Sequence, residues 1–329
     1  MKEITRRNFL KKSVAATVAA GMLPVLGNAG ELMMSGEETG ISGRGRRRCC
    51  GVRAKRILLI SYDGICREGF LKANTPNLDR MLADGVLSLD TRVVMPSVTL
   101  PNWTSHLTGS GPEQHGITDN GWTLEKHTLP SVETDQDGYY PSVFKVLKDS
   151  MPEIKTAFYY NWINLFYPYN RRYFDDVNYL ENDGYVPNFD RAYEFIRTHR
   201  DSPSLTFLYT VHTDHAGHKY QWMSPEYIHS IEEADAETGK LLEKLKAEGL
   251  YEDTHFMFLT DHGGIGYGHG GVSVDEMIVP WGIAGPGISK GVKMTEPNNT
   301  VNTAAVILEL FGVRRPQCWT GEVPASLFG

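Results

Sequence analysis

Six side chains of metal-binding type are spread along the chain, and they divide evenly between oxygen and nitrogen donors. They are three aspartates and three histidines: Asp63, Asp214, His218, Asp261, His262 and His269. This mixture favours zinc, with manganese or iron as alternatives. Six such ligands suffice for two sites, and two metal ions lying close together are suited to displacement at phosphorus. The set therefore predicts a phosphoryl-transfer enzyme.

A threonine supplies the hydroxyl group that such a centre needs. Thr99 lies in the segment 95–103, just before a helix that we predict over residues 102–108 and that Gly109 ends. The N-terminus of a helix offers backbone N–H groups and a positive dipole end, both of which favour a phosphate oxygen. Because a threonine hydroxyl is a weak nucleophile until a metal or base removes its proton, we predict that a metal ion activates Thr99.

The spacing of the ligands is consistent with shared ions. Asp214 and His218 are four residues apart, so both can face one ion from a short turn or helix start, whereas His215 points elsewhere and has a structural or supporting role. Asp261 and His262 are adjacent and are followed by two glycines, which let the backbone approach an ion closely. His269 lies in a similarly open glycine-rich loop.

The elements that must position these residues are buried strands that alternate with helices. Thr75-Pro76 and Ser224-Pro225 are typical helix starts. Alternation of this kind predicts an α/β fold with a doubly wound, mostly parallel sheet flanked by helices, formed by a single catalytic domain over 57–329. Functional groups gather at the carboxyl ends of such strands. The predicted strands are 57–61, 156–160, 205–211, 255–260 and 278–284, and Asp63, Asp214 and Asp261-His262 each follow one of them.

The N-terminal residues form a different kind of segment. Residues 1–29 contain Arg6-Arg7 followed by a mild apolar stretch, which is typical of a twin-arginine signal peptide and is too short and too interrupted for a stable membrane span. We therefore expect a bacterial protein exported to the periplasm by the twin-arginine machinery. Residues 30–56 are predicted to be a basic flexible linker.

The charge of the chain bears on nucleic-acid binding, and its cysteines bear on disulfide formation. Residues 1–56 carry 12 basic and 4 acidic side chains, so the whole-chain charge of −7 leaves −15 on the remainder, which argues against specific nucleic-acid binding. Cys49 and Cys50 are adjacent, so a bond between them would be strained. A Cys66–Cys318 bridge is an open alternative in an oxidising compartment.

Several motifs occur in the order found in the alkaline phosphatase superfamily, and they resemble most closely its type I phosphodiesterase/nucleotide pyrophosphatase branch. The resemblance covers residues 57–290. It implies two zinc ions, one held by Asp214, His218 and His269, and the other by Asp63, Thr99, Asp261 and His262. The motifs are Ser61-Tyr62-Asp63-Gly64, Thr75-Pro76-Asn77-Leu78, Thr99-Leu100-Pro101-Asn102, Glu113-Gln114-His115-Gly116-Ile117, Asp214-x-x-Gly217-His218 and Asp261-His262-Gly263.

The resemblance also implies that Asn102 donates a hydrogen bond to a phosphoryl oxygen. Trp103, one turn from the nucleophile, is a candidate wall of the substrate site. Sulfatases of the superfamily need a Cys or Ser in a C/S-x-P-x-R motif, which Thr99 and Trp103 do not match. The nucleophile segment also lacks arginine, which weakens a phosphomonoesterase interpretation without excluding it.

The predicted activity is hydrolysis of small phosphate esters, most consistently phosphodiesters or nucleotide pyrophosphates. Thr99 would attack phosphorus to form a phosphothreonine, which water then hydrolyses, while the two metal ions stabilise the attacking and leaving oxygens. A phosphomonoesterase and a phosphoethanolamine-type phosphotransferase remain alternatives within enzymes. A non-catalytic metal-binding or ligand-binding module remains the alternative from another class.

Overall fold

A nine-stranded sheet forms the centre of the computed structural model, which describes residues 53–181 and 183–328. In chain order the strands are β1 (Arg56–Tyr62), β2 (Gly85–Arg92), β3 (Lys155–Tyr160), β4 (Asp176–Tyr179), β5 (Ser204–Thr210), β6 (Thr254–Leu259), β7 (Ile278–Ala284), β8 (Val292–Lys293) and β9 (Asn298–Asn299). The order along the sheet is β4–β3–β5–β1–β6–β7–β2–β8, with β9 also paired to β2.

Most neighbouring strands are parallel. Strand β1 pairs in parallel with β5 and β6, and β3 pairs in parallel with β4 and β5. Strand β7 is antiparallel to both β6 and β2. The prediction of a mostly parallel sheet is therefore confirmed, and the carboxyl ends of β1, β5 and β6 lie side by side at one edge.

Helices cover both faces of this sheet. Because side chains alternate along a strand, Ile57 and Leu59 of β1 enter one apolar core, and Leu58 and Ile60 enter the other. The helices are α1 (Arg67–Lys72), α2 (Pro76–Ala83), α3 (Thr99–Thr108), α4 (Pro112–His115), α5 (Val143–Ser150), α6 (Val186–Thr198), α7 (His212–Tyr220), α8 (Pro225–Ala247), α9 (Val274–Met277) and α10 (Asn302–Phe311). The first core includes α3, α5 and α10, and the second includes α1, α2, α6 and α8, so the doubly wound architecture is confirmed.

The five predicted strands are all present, with ends within one residue of the predicted ones. The sequence analysis did not identify β2, β4, β8 or β9. Strands β8 and β9 are two residues each and β4 is four, which is too short for a periodic pattern to emerge. These four strands depend on pairing with distant neighbours, so local sequence carries little information about them.

The two predicted helix starts differ in how they are capped. Ser224 accepts a hydrogen bond from the Tyr227 N–H at 3.1 Å and caps α8 as predicted. Thr75 does not cap α2 with its side chain. The first N–H groups of α2 instead reach the buried Asp235 carboxylate of α8, at 3.1 Å from Asn77 and 2.8 Å from Leu78. A tertiary contact has therefore replaced the local cap.

The N-terminal end of the fold begins earlier than predicted. The Ala54 N–H bonds to the Leu310 carbonyl at 2.7 Å, and Arg56 is 1% exposed within β1, where it bonds to the Arg200 carbonyl and pairs with Asp253. Residues 54–56 are therefore part of the domain, and the predicted linker extends too far. The predicted signal peptide at 1–29 and the linker up to residue 52 lie outside the described residues.

Two further expectations concern cysteines and membranes. Cys66 is buried and Cys318 is partly exposed, and both are free thiols, so the bridge considered for them is not present. Cys49 and Cys50 lie outside the described residues. Across 53–181 and 183–328, none of the helices combines the length and apolar character needed to cross a bilayer.

Candidate metal centre

The carboxyl edge of the sheet brings the predicted ligands together. Asp63 directly follows β1, and Asp261 and His262 follow β6. Asp214 and His218 lie on α7, which begins where β5 ends. The structure therefore places side chains from distant parts of the sequence in one cluster, to which His269 is delivered by the loop between β6 and α9.

The nucleophile candidate lies beside the first group of ligands. The Thr99 Oγ1 is 3.3 Å from the His262 Nε2. That same nitrogen is 3.2 Å from an Asp261 oxygen and 3.4 Å from an Asp63 oxygen. The ligand atoms of Asp63, Asp261 and His262 all lie within 4.8 Å of one another, which is compact enough for one ion.

The second group shares Asp214. One Asp214 oxygen is 3.6 Å from the His269 Nε2, and the other is 3.5 Å from the His218 Nε2. The ligand atoms of Asp214, His262 and His269 also lie within 4.8 Å of one another, and the His262 and His269 rings stack with centroids 3.7 Å apart. His262 therefore lies between the two groups. His218 is the solvent-facing member, with 42% of its side chain exposed.

Three carboxylate oxygens in this cluster have the properties of a cation-binding site. Asp63 Oδ1, Asp214 Oδ1 and Asp261 Oδ2 are buried and make no hydrogen bond to any residue that the structure describes. Buried carboxylate oxygens without a partner are costly, and carboxylate with imidazole is the donor set of zinc and related ions. The residues present therefore fit a pair of divalent metal ions.

Hydrogen bonds at Nδ1 orient the three histidines for metal binding. The Nδ1 of His218 donates to the Tyr267 carbonyl at 2.9 Å, that of His269 to the Ser97 carbonyl at 3.0 Å, and that of His262 to the Gly263 carbonyl at 2.8 Å. A carbonyl accepts only, so each Nδ1 carries the proton and each Nε2 presents a lone pair. All three Nε2 atoms face the carboxylates.

The electrostatics of the site without a cation are unfavourable. Burial, and then the nearby Asp214 carboxylate, raise the pKa of Asp63 to about 8. Burial raises the pKa of Asp214 to about 7, and burial followed by the Asp63 charge raises the pKa of Asp261 well above its usual range. Burial, and then His269, lower the pKa of His262. A divalent cation reverses this balance because it stabilises the ionised carboxylates and binds neutral imidazoles.

Two aromatic side chains orient Asp63. The Tyr209 hydroxyl donates to Asp63 Oδ2, and the Trp103 Nε1–H reaches the same oxygen at 3.3 Å, which leaves Oδ1 for an ion. Trp103 is fully buried, with edge-on contacts to Phe207 and Tyr209. The predicted role of Trp103 as a substrate wall is therefore wrong, because its ring packs inside the core and its N–H supports a ligand. Tyr209 was missed, although a tyrosine near the end of a predicted buried strand was a visible signal.

Asn102 also differs from the prediction. Its side chain is 0% exposed, and its Oδ1 accepts from the Val94 N–H at 2.8 Å. Its Nδ2 donates to the Pro96 and Val98 carbonyls, each at 3.0 Å. The amide is therefore occupied by the backbone of 94–98, so Asn102 holds the segment that carries Thr99 and is not placed to bind a phosphoryl oxygen.

A different asparagine lies next to Thr99. The Asn120 Oδ1 accepts from the N–H of Leu100, the residue after Thr99, at 2.7 Å. This bond fixes the Asn120 amide at the start of α3, and its Nδ2 has no protein acceptor within the described parts of the chain. The sequence analysis missed Asn120, although it closely follows the quoted motif 113–117.

Comparison with known proteins agrees with this picture. The model of the type I phosphodiesterase / nucleotide pyrophosphatase family matches residues 57–290. A pyrophosphatase/phosphodiesterase of Schizosaccharomyces pombe is 28% identical over 230 residues, which are 63% of this chain and 44% of that protein. A bis(5'-adenosyl)-triphosphatase, ENPP4 of Bos taurus, is 26% identical over 245 residues, which are 70% of this chain and 51% of that protein. The chain thus spans about half the length of these relatives.

Solved structures of similar fold include ectonucleotide pyrophosphatases/phosphodiesterases. An inactive variant of murine ectonucleotide pyrophosphatase/phosphodiesterase 5, solved in complex with AMP, superposes with a TM-score of 0.70. The alignment covers 84% of this chain and all of that one, at 14% identity, so it supports the fold alone. Because the family model matches most of the described sheet, from β1 through β7, the chain belongs to the type I phosphodiesterase/nucleotide pyrophosphatase family.

Proposed function

We propose that this member of a phosphate-ester hydrolase family is a two-zinc phosphodiesterase that acts through a phosphothreonine on Thr99. The observation that carries the proposal is the position of the Thr99 Oγ1, 3.3 Å from His262 Nε2 and at the start of α3, beside carboxylate oxygens that accept no hydrogen bond from the described residues. A nucleophile, a metal-type donor set and a helix N-terminus meet at one point, which is the arrangement that phosphoryl transfer needs.

Hydrogen bonds at the start of α3 orient Thr99 and limit which N–H groups can bind a phosphate oxygen. Thr99 is the first residue of α3, and its backbone is held because the neighbouring Leu100 N–H bonds to Asn120 and the Asn102 N–H bonds to Val98. Pro101 has no N–H group. Few first-turn amides are therefore left for a phosphate oxygen, and we assign that task to the Asn120 amide with the N–H of Thr99.

The proposed reaction has two displacement steps. The Thr99 oxygen attacks phosphorus, the bond to the leaving oxygen breaks, and a phosphothreonine forms. Water then attacks the same phosphorus, releases the phosphorylated product and regenerates the hydroxyl. Bound zinc ions would lower the pKa of the Thr99 hydroxyl and neutralise charge on the attacking and leaving oxygens. Asp214, His218 and His269 would hold one ion, and Asp63, Asp261 and His262 with Thr99 the other.

A diester preference is the first prediction that follows. Among residues 53–181 and 183–328 the one buried arginine is Arg56, at the opposite end of β1 from Asp63, so no buried arginine there is placed to bind the additional charge of a monoester at Thr99. We expect kcat/KM for bis(p-nitrophenyl) phosphate to exceed that for p-nitrophenyl phosphate by at least about tenfold, measured with zinc at one pH. The reverse order would establish the phosphomonoesterase alternative.

A product analysis then identifies the leaving group. The panel contains a dinucleoside polyphosphate, because the Bos taurus relative is named as a bis(5'-adenosyl)-triphosphatase, together with sugar-nucleotide and lipid diesters. Hydrolysed products support the proposal. Transfer of a head group to an added amine or alcohol in preference to water would establish a phosphotransferase, and bound zinc without turnover on any ester would establish a non-catalytic module.

Asn120 provides a further prediction, with Asn102 as its control. Replacing Asn120 with alanine removes a donor to the developing phosphoryl charge, so we expect kcat to fall about 10²–10³-fold with the fold and metal content intact. Replacing Asn102 with alanine leaves buried backbone groups of 94–98 unpaired, so its main effect should be a lower melting temperature, with about 1–3 kcal/mol lost. Unchanged turnover in the Asn120 variant would rule out this phosphate-binding role for Asn120.

The compartment belongs to the same proposal. The twin-arginine sequence at 1–29 supports export of the folded protein to a bacterial periplasm, although those residues lie outside the described part of the chain. A fusion of residues 1–29 to a reporter, compared with the same fusion carrying Arg6→Lys and Arg7→Lys, tests it, since only the unaltered signal should export the reporter.

A further inference from the structure

The loop that carries His269, residues 263–273, is rich in glycine and has few internal backbone hydrogen bonds. Six of the eleven residues in 263–273 are glycine, and glycine loses more conformational freedom on folding than any other residue. Within the loop, the backbones of Ile265 and Gly268 bond to each other at 2.9 and 3.2 Å. Most of its conformation must therefore be imposed by contacts with the rest of the domain.

Glu276 provides those contacts from α9. Its Oε1 accepts from the Gly271 N–H at 2.8 Å, and its Oε2 accepts from the Ser273 N–H at 3.2 Å and the Ser273 hydroxyl at 2.6 Å. Its backbone carbonyl accepts from the Gly263 N–H at 2.9 Å. One residue therefore ties down both ends of the loop, one next to His262 and the other two residues after His269.

Ser97 holds the same loop from the opposite side. Its carbonyl accepts from His269 Nδ1 at 3.0 Å, and its hydroxyl accepts from the Gly270 N–H at 3.2 Å while donating to the Gly271 carbonyl at 2.7 Å. Ser97 is fully buried and lies two residues before Thr99. The loop is therefore fastened to the nucleophile segment as well as to α9.

Glu276 is not itself placed as a metal ligand. Both of its carboxylate oxygens are occupied by loop donors, and its side chain is largely buried, with 7% of the residue exposed. The fit is tight, because a Cβ on Gly271 would lie 2.7 Å from Glu276 Oε2. Three donors reach the Glu276 carboxylate, and a fourth reaches its backbone carbonyl. This is more than is required to cap a helix of four residues.

We propose that Glu276 is a positioning residue that, with Ser97, holds the His269 loop in its metal-binding conformation and thereby sets the zinc affinity of the Asp214–His218–His269 site. The inference rests on the proposed metal centre. In the absence of the carboxylate, binding an ion through His269 must also order the glycine-rich loop, so the affinity falls. Residues that orient metal ligands typically contribute 10–100-fold in affinity, about the effect we expect here.

The test measures zinc release from the full chain into a chromogenic chelator, without substrate. The variants are Glu276→Ala, Glu276→Gln and Ser273→Ala, with His269→Ala as the reference for loss of the site. The control is Asp275→Ala, which alters an exposed carboxylate on the same short helix. We expect one of the two ions to bind about 10–100-fold more weakly in Glu276→Ala, less so in Ser273→Ala, and the other ion to be retained.

Release curves of Glu276→Ala that match those of Asp275→Ala, or equal weakening of both ions, would overturn the inference. If Glu276→Ala does not fold, Ser273→Ala removes only one side-chain donor and must still rank between wild type and His269→Ala. Since no substrate is present, a wild-type chain that binds two ions but hydrolyses no ester would refute the proposed function alone, while the release curves still decide the role of Glu276.

Discussion

Replacing Thr99 with alanine is expected to lower kcat on bis(p-nitrophenyl) phosphate by at least about 10⁴-fold, because no other hydroxyl among the described residues bonds to the His262 ring and the phosphothreonine cannot form. The zinc content should stay near two ions per chain, since Asp63 is held by Tyr209 and Trp103, and the three histidines are held by backbone carbonyls, with no contribution from the Thr99 hydroxyl. The melting temperature should change little. Turnover and metal content are measured on the same sample.

A serine at this position is the matched control. Thr99→Ser keeps the hydroxyl at the start of α3 and should retain turnover within about tenfold of the wild type, since only a methyl group is lost. Trapping after rapid quench should show phosphate on the wild-type and serine chains and none on the alanine chain. An alanine variant that still hydrolyses the diester at the wild-type rate would rule out Thr99 as the nucleophile.

Removing the metal ions has the second large expected effect. Dialysis against a chelator should reduce turnover to background, and added zinc should restore it up to two ions per chain. The same treatment should lower the melting temperature, because an ion present at 1,000 times its dissociation constant stabilises the folded state by about 4 kcal/mol, which corresponds to roughly 10 °C for a domain of this size. Full activity in metal-free protein would refute the metal centre.

Two histidines on α7 provide a matched pair for this experiment. His218 lies 3.5 Å from Asp214, whereas His215 faces away and contacts Asp183 at 2.8 Å. Both are partly exposed, so alanine at either position should leave the core intact. We expect His218→Ala to weaken one ion and His215→Ala to retain both. Equal losses in the two variants would contradict the assignment of Asp214 and His218 to one site.

The stabilisation by zinc should grow with pH. In the metal-free protein the pKa of Asp214 is raised to about 7 and that of Asp63 to about 8, so both carboxyls hold protons that the unfolded chain has already released. Their contribution to stability is complete below about pH 4 and is lost as pH rises through 7 to 8. Zinc keeps them ionised, so the gain in melting temperature should be larger at pH 8.5 than at pH 6. A constant gain would contradict this.

The strands and their ends were accessible from the sequence because each depends on a local pattern. A buried parallel strand is a short continuous apolar run, and all five of the predicted runs became strands within one residue at each end. The groups that follow such runs are delivered to one edge of the sheet by topology alone. That is why Asp63, Asp214 and Asp261 were recognisable as a set before any distance was known.

Side-chain roles depended on contacts that no local pattern encodes. Asn102 and Asn120 are the same residue type in neighbouring segments, and only packing shows that the first is occupied by the backbone of 94–98 and the second accepts from Leu100, the residue after Thr99. Trp103 has the kind of aromatic side chain that can line a substrate site. It is buried, however, because it lies on the inner face of α3. Burial and hydrogen-bond partners are long-range properties, so they cannot be derived from spacing.

The sequence by itself determined the donor types, the strand ends that present them and the family of the chain, because those properties reside in short segments. The tertiary structure decided which atoms meet. It placed His262 between the two groups of ligands and bound the His269 loop to Glu276 and Ser97. It also left one oxygen on each of three aspartates without a hydrogen bond from any residue in 53–181 and 183–328. These outcomes depend on how residues far apart in the chain pack, since a metal centre is formed only when the sheet edge, its loops and α3 are in contact.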